Sequence, residues 1–186
     1  MYRDNSATGA AIATNRDAEN VGTKMFLYNV YIAPGWQDFT GYGETNFDGI
    51  VLDGASAVYG QGVTITDVNA DACIDNKADI SQFVNLNLSG NAHRSMRYWR
   101  NGPHHLVNSS IENPGGTGSG ALIWMRTCDE TTLYVYNSTF NGSSTIPMDK
   151  ISCDDGGTPT IIYLTEDPRL SGSQYPMHEM FSYLVN

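Results

Sequence analysis

Short apolar strands broken by a single polar residue recur along this chain. Each repeat has a hydrophobic strand, then Asn or a polar substitute, then a second short apolar strand. The six polar positions are Asn29, Asp67, Asn85, Asn108, Asn137 and Thr165, separated by 38, 18, 23, 29 and 28 residues. Repeats at such intervals are typical of stacked architectures, in which strand lengths stay constant while the connecting loops vary.

A further strand is predicted before each of these repeats, at residues 11–13, 49–54, 72–77, 95–100, 121–126 and 150–155. Three strands per repeat predict an all-β chain that winds as a parallel β-helix of about six coils. Asn suits the bend between strands because it tolerates the left-handed backbone conformation. Asn side chains stacked about 4.8 Å apart can also hydrogen-bond to one another along the axis.

With an Asn at this bend in most coils, the chain resembles the right-handed parallel β-helices of the pectate-lyase-like superfamily, over about residues 9–168. The resemblance is one of fold, without a family-specific motif. At 186 residues the chain fits a single domain over residues 1–186, and the amphipathic, aromatic residues 169–186 are predicted to form a C-terminal cap or tail. The resemblance implies that a polysaccharide lies along the first strand of each coil and the loop before it.

The net charge of the chain limits the classes of ligand that it is expected to bind. Ten Lys and Arg against twenty Asp and Glu give a net charge of −10, which disfavours nucleic acid and anionic membranes as ligands. The sequence has no long apolar run for membrane insertion and no signal-peptide pattern. For a polysaccharide-binding β-helix we expect an extracellular or virion-surface location.

Two other features concern stability. The cysteines, Cys73, Cys128 and Cys153, are odd in number and lack metal-ligand spacing, so they are predicted to be small buried side chains rather than a disulfide framework. A β-helix has open ends with unpaired backbone edges. We therefore expect either a neighbouring subunit, as in a homo-oligomer, or further chain to cover an end.

The segment from Asp71 to Lys77 contains the densest charged pattern on a predicted first strand. Asp75 and Lys77 share one face of the strand because the side-chain period is two. An inward Asp75 would join a predicted inner column of Leu52, Tyr98, Trp124 and Cys153, at a cost of several kcal/mol. Ile74 is therefore predicted to point inward, with a local bulge adjusting this coil to its neighbours.

The resemblance assigns candidate roles to residues on this face. Carboxylates of adjacent coils, Asp53, Asp71 and Asp75, are predicted to bind Ca²⁺. Lys77 or Arg97 is the predicted base of a lyase-type β-elimination on an acidic polysaccharide, supported by Arg100 and by His93. The predicted substrate-binding residues are Trp99, Arg94, Arg126 and Trp36, the last in a loop over residues 33–48 whose aromatic side chains would wall the groove.

Two alternatives remain open at this level. A non-catalytic glycan-binding or structural module, such as part of a tailspike or adhesin, would use the same charged residues as a ladder of ion pairs between coils. A polysaccharide hydrolase would instead use paired carboxylates among Asp53, Asp75 and Asp154, depending on their separation in space.

Overall fold

The structure is a computed structural model that describes residues 8–14, 22–67, 69–113 and 122–184. Parts of the predicted domain, at 1–7, 15–21, 68, 114–121 and 185–186, lie outside the described residues. The described strands form three sheets, and every pairing between them is parallel. Neighbours in a sheet are three strands apart along most of the chain, which confirms an all-β parallel β-helix of about six coils.

Each of the first five coils contributes one strand to each sheet, and the sixth contributes one strand to the first sheet and one to the second. The first sheet contains β1 (Thr8–Ala13), β4 (Asn46–Leu52), β7 (Ala72–Asn76), β10 (Arg94–Tyr98), β13 (Ile123–Met125) and β16 (Ile151–Cys153). The second contains β2 (Lys24–Tyr28), β5 (Ala57–Gln61), β8 (Ile80–Val84), β11 (His104–Val107), β14 (Thr132–Tyr136) and β17 (Thr160–Tyr163). The third contains β3 (Tyr31–Ile32), β6 (Thr64–Ile65), β9 (Asn87–Leu88), β12 (Ser110–Ile111) and β15 (Thr139–Phe140). Two 3-10 helices, Met148–Lys150 and Glu179–Leu184, complete the described elements.

A column of apolar side chains fills the interior behind the first sheet. Strand pairing aligns Ile12, Ile50, Ile74, Met96, Ile123 and Ile151. The middle four are fully buried. Burying a side chain of this size contributes about 1.5–3 kcal/mol, so the column is a major source of stability. Because Ile74 belongs to it, Asp75 stands on the outer side of the sheet, as predicted.

The alternation of inward and outward residues is interrupted at one level of the first sheet. Pairing passes from Asp48 and Ala72 directly to Ile50 and Ile74. A Cβ placed on Gly49 would lie 3.2 Å from the Ile65 side chain, so Gly49 faces the interior next to Ile50. The pairing between the third and fourth coils omits one residue at the same level. Because adjacent coils share the interruption, they stay in register with one another.

This register corrects the predicted inner column. Trp124 pairs with Arg97 on the outer side, and the residue that follows Leu52, Asn76 and Tyr98 in the inner column is Met125. Four consecutive apolar residues, 122–125, leave the alternation ambiguous in the sequence. The shift by one residue brings a tryptophan to the surface.

Asparagines occupy the bend after the second strand of most coils. Asn29, Asn85, Asn108 and Asn137 have φ values between 43° and 53°, in the left-handed region that Asn tolerates. The side-chain amide of Asn137 donates a hydrogen bond of 2.9 Å to the side-chain oxygen of Asn108. The predicted Asn ladder is therefore present.

The second coil departs from the predicted ladder. Its bend after β5 is occupied by Gly62, with φ of 65°, whereas Asp67 follows the third strand of the coil. A Cβ at Gly62 would lie 2.6 Å from the side-chain oxygen of Asn29. The assignment of Asp67 was wrong because polar residues with left-handed backbone occur at both bends, and this accounts for the uneven intervals of 38 and 18 residues.

The prediction for the cysteines was wrong for two of the three. Cys128 and Cys153 form a disulfide with a Cα–Cα distance of 5.7 Å, while Cys73 is buried and free. Stacking of the fifth and sixth coils brings together two residues that are 25 apart in sequence. Disulfides are typical of oxidising compartments. In the described part of the chain, no helix has the length and apolar character needed to cross a bilayer.

The C-terminal segment lies along the side of the β-helix. Residues 173–182, which we name the strap, lie against the outer side of the second sheet. Phe181 is fully buried there against Tyr59, Val84 and Val107. The backbone N–H of His178 donates to the side-chain oxygen of Gln82 at 2.7 Å.

Candidate functional site

Two columns of side chains line the outer face of the first sheet, which we name the first-sheet face. The strand register aligns Val51, Asp75, Arg97, Trp124 and Ser152 in the first column. Residues two positions further along each coil form the second column: Asp53, Lys77, Trp99 and Arg126. Since side chains two apart on a strand share a face, the two columns stand side by side.

Lys77 is held between carboxylates of two adjacent coils. Its Nζ lies 2.8 Å from Asp53 Oδ1 and 2.9 Å from Asp75 Oδ2. Burial alone would lower the pKa of the ammonium, but the attraction of Asp75 and Asp53 outweighs burial, and the pKa of Lys77 is raised. A general base must be deprotonated near neutral pH. This arrangement disfavours the predicted base role of Lys77, which stays a prediction.

Arg97 forms a second buried ion pair between coils. One of its terminal nitrogens bonds the carboxylate of Asp71 and the hydroxyl oxygen of Tyr42, the latter at 3.0 Å. Burial alone would lower the pKa of Arg97, yet Asp71 and Asp75 raise it. Burial raises the pKa of Asp71, although Arg97 opposes that effect. Arg97 is therefore also a firmly held cation.

Asp48 is an additional acidic residue beside these ion pairs. It is 6% exposed, and its Oδ1 has no hydrogen-bond partner among the described residues. Burial, followed by repulsion from Asp75 and Asp71, raises the pKa of Asp48 to about 8. Asp48 therefore carries its proton at neutral pH. Asp48 and Asp75 line the same open cleft of about 330 Å³.

Asp75 has the partners of an ionised carboxylate. One oxygen accepts the Trp99 indole N–H at 2.5 Å and the other contacts the Lys77 ammonium. A protonated carboxyl group near an ionised one is the combination that divides acid and base roles in enzymes that use two carboxyl groups for catalysis. The cleft can therefore donate a proton and stabilise positive charge at one place.

Trp99 and Trp124 form an aromatic surface beyond the acidic residues. Their ring centroids are 4.8 Å apart, with planes tilted by 59°. The guanidinium of Arg126 lies 5.7 Å from the Trp99 ring. Arg100 and Arg126 both line an adjacent cleft of about 490 Å³. Since the ion pair of Arg100 with Asp79 is long, 3.7 Å, and largely exposed, its guanidinium is accessible to a ligand.

The loop of residues 33–45 reaches this face from the first coil. Phe39 stacks on His93 with centroids 4.7 Å apart, and Tyr42 packs against Phe39 at 5.2 Å. The hydroxyl of Tyr42 accepts the bond from Arg97. The loop thus begins before the second coil and reaches residues at the fourth coil. Its Phe39 and Tyr42 rings form a wall beside the first-sheet face.

The predicted site residues fall into two groups. Those on or beside the first-sheet face are Asp53, Asp71, Asp75, Lys77, His93, Arg94, Arg97, Trp99, Arg100 and Arg126. Arg94 is half-buried, and its guanidinium donates to the backbone oxygen of His93 at 2.7 Å. Trp36 is separate: it lines a cleft of about 550 Å³ beside the first coil together with Phe47. The aromatic ring that packs against Trp99 is that of Trp124.

The proposed calcium ligands are already engaged. Two of them, Asp53 and Asp75, share Lys77, and Asp71 is bound to Arg97. Among the described residues, three such ligand atoms lie within 4.8 Å of one another only at Cys128, Cys153 and Asp155, where both sulfurs belong to the disulfide. The acidic residues in this arrangement fit lysine and arginine better than a calcium ion. The calcium assignment stays a prediction without further support.

Sequence reasoning missed Asp48 and the outward position of Trp124. The predicted strand began at residue 49, whereas β4 begins at Asn46. An earlier strand start would have included Asp48 among the candidate outward positions. The burial that raises its pKa depends on neighbouring coils and has no signal in the sequence.

Comparisons of the chain with protein-family models, with curated proteins and with solved structures found no significant match. The parallel β-helix is shown by the structure, whereas the resemblance to pectate-lyase-like proteins stays a prediction from the sequence. A fold alone does not determine the roles of individual residues, which depend on the local geometry of this chain.

Proposed function

We propose that the protein binds an acidic polysaccharide along the first-sheet face and hydrolyses it, with Asp48 as general acid and Asp75 as the ionised partner. The observation that carries this proposal is the pairing, in one open cleft, of a carboxyl group that is protonated at neutral pH with one held by a lysine and an indole.

Binding is supported by the second part of the face. Trp99 and Trp124 offer aromatic surface on which a sugar ring can stack. Arg100 and Arg126 line the adjacent cleft, where their guanidinium groups suit the carboxylate of an acidic sugar. In this cleft Arg100 and Arg126 balance the carboxylates of Asp79 and Glu130, so the negative charge of the chain is offset where the ligand would lie.

The chemistry follows from the state of the two carboxyl groups. Asp48 would donate its proton to the glycosidic oxygen as the bond breaks. Asp75 would stabilise the positive charge that develops on the sugar, or activate water. Lys77 and the Trp99 indole position Asp75 through a hydrogen bond to each of its oxygens.

Hydrolysis is favoured over the β-elimination predicted from the sequence. Elimination needs a deprotonated base next to the uronate, and both predicted bases are cations with raised pKa values. Each is also bonded to carboxylate. A lyase would have to break these ion pairs before reacting.

A non-catalytic glycan-binding module is the second candidate. The ion pairs Lys77 to Asp53 and Arg97 to Asp71 connect successive coils, as a structural ladder would.

In either case we place the protein outside the cytoplasm, at a cell or virion surface, since the disulfide fits an oxidising compartment. A neighbouring subunit covering an end of the β-helix remains part of this proposal.

The test is to incubate the protein with a panel of acidic and neutral polysaccharides, and to measure new reducing ends and unsaturated uronide absorbance in parallel. Binding is measured separately on the same panel. Asp48→Asn should lower the rate of reducing-end formation by about 10²–10⁴-fold while binding is retained. The exposed Asp149, replaced by Asn, is the matched control and should leave both unchanged.

The products distinguish the candidates. Reducing ends without absorbance, lost in Asp48→Asn, support hydrolysis. Unsaturated products would show elimination and overturn the role of Asp48. Binding that Trp99→Ala weakens, with no product on any substrate, would identify the binding module.

A further inference from the structure

The strap is attached to the second sheet mainly by side chains. Phe181 is the buried anchor. The His178 ring lies 4.2 Å from the Tyr59 ring, centroid to centroid, and Tyr175 lies 4.6 Å from Tyr134. The strap therefore covers aromatic side chains of several successive coils.

Hydrogen bonds contribute little to this attachment. The strap backbone meets side chains of the second sheet at two places: the His178 N–H donates to Gln82, and the Tyr175 backbone contacts the ring of His105. Other strap bonds are local, such as Phe181 N–H to the His178 oxygen and Met180 N–H to His178 Nδ1. A segment with few backbone bonds to the sheet opens at lower free energy than the paired strands.

A histidine lies beneath the strap. Strand pairing places His105 in an outward column that also contains Phe26, Tyr59, Gln82 and Tyr134. His105 is 3% exposed and stacks on Tyr134 at 4.8 Å. The backbone of Tyr175 in the strap lies beside its ring. The strap is the part of this enclosure that can leave without breaking strand pairing.

The surroundings of His105 disfavour its charged form. The ionisable side chains beside it are His104 on the same strand, Tyr134 on β14, and Tyr175 and His178 on the strap. Among the described residues, no carboxylate forms an ion pair with it. Burial lowers the pKa of His105 to about 4, although the contact with the Tyr175 backbone opposes that effect.

We propose that the strap is a proton-sensitive latch: protonation of His105 detaches residues 173–182 from the second sheet while the coils stay paired. An imidazolium at this position regains water only when the strap moves away. Detachment uncovers the aromatic outer column of the second sheet. The latch is independent of the first-sheet face and of its proposed chemistry.

The direction follows from linkage. Protons bind more tightly to His105 when the strap is open. Opening therefore becomes more favourable as the pH falls from the ordinary pKa of histidine towards the lowered pKa that His105 has when the strap is closed. With pKa values of 6.5 open and about 4 closed, the opening constant should rise about 20-fold from about pH 7 to about pH 5. Below the closed-state pKa the effect levels off.

Amide hydrogen exchange measured by NMR on the whole chain tests this. Exchange of the His178 amide, whose N–H donates to Gln82 on the sheet, reports strap opening after correction for intrinsic rates, and the amides of β11 report the coils. We expect the 20-fold increase in the strap with β11 still protected. Phe181→Ala should open the strap at neutral pH and serves as the reference for the open state.

Two substitutions identify which histidine takes up the proton that opens the strap. His105→Gln should leave the strap closed and remove the pH dependence, whereas His178→Gln should retain it. The proposal is wrong if strap exchange is independent of pH, if the increase survives in His105→Gln, or if His178→Gln abolishes it. Loss of protection in β11 together with the strap would also contradict it, because His104, buried in the core with a lowered pKa, would then be responsible.

Discussion

Replacing Asp48 with Asn removes a titrating proton but keeps the shape of the side chain. In the folded protein the pKa of this carboxyl is raised from 3.8 to about 8. A raised pKa means that the folded state binds more protons than the unfolded state. Stability from this group is therefore fully present below about pH 4 and is lost as pH rises towards 8. The Asn variant does not suffer this loss.

The size of the effect can be bounded. At pH 7, about three pKa units above the unfolded value, the penalty is at most about 4 kcal/mol. The Asn variant does not regain the whole of this free energy, because the Asn amide also needs hydrogen-bond partners in a buried site. We expect Asp48→Asn to raise the free energy of unfolding by about 1–3 kcal/mol at neutral pH.

Urea unfolding of both proteins at several pH values between about 4 and 9 measures this difference. It should grow by up to about 1.4 kcal/mol per pH unit and then level off above about pH 8. Other titrating groups, such as His104 and His105, largely cancel because both proteins contain them. A difference that is constant with pH would refute the raised pKa and, with it, the acid role of Asp48. Asp149→Asn should give no such trend.

Three other substitutions test the scaffold and the ion pairs. Any side chain at Gly62 has to displace the Asn29 side-chain oxygen, so Gly62→Asn should also lower the free energy of unfolding, but by about 1–2 kcal/mol less than Gly62→Val, which is more strained at a left-handed bend; equal effects would contradict the ladder argument. Replacing Cys128 and Cys153 together by Ser should cost about 3 kcal/mol in the same assay, given a separation of 25 residues, and an unchanged urea midpoint would contradict the stabilising role of the bond. Lys77→Met leaves buried Asp75 with one partner fewer and should cost about 2 kcal/mol at neutral pH, which a stability equal to wild type would disprove.

The stacked architecture could be predicted because its causes are local. Alternating apolar residues and the Asn bends recur in each coil, and the inward position of Ile74 followed from the cost of burying Asp75. The error at Asp67 arose because two bends in one coil use the same backbone conformation. The error at Trp124 arose where consecutive apolar residues leave the alternation undefined.

The candidate site was less predictable because its properties depend on neighbouring coils. The charged residues of the third and fourth coils could be listed from the sequence, but their partners could not. The contact of Lys77 with the carboxylate of Asp53 depends on the register between β4 and β7. The proton on Asp48 requires burial beside two other carboxyl groups, and the disulfide requires the stacking of the last two coils.

The path of the loop of residues 33–45 has an evolutionary consequence. The loop starts after β3, yet its Phe39 and Tyr42 rings contact His93 and Arg97, which belong to the fourth coil and the turn before it. Insertions or replacements in this loop would change the wall above Arg97 without altering any strand pairing or the inner column. Ligand preference and scaffold stability can therefore diverge separately among descendants of this chain.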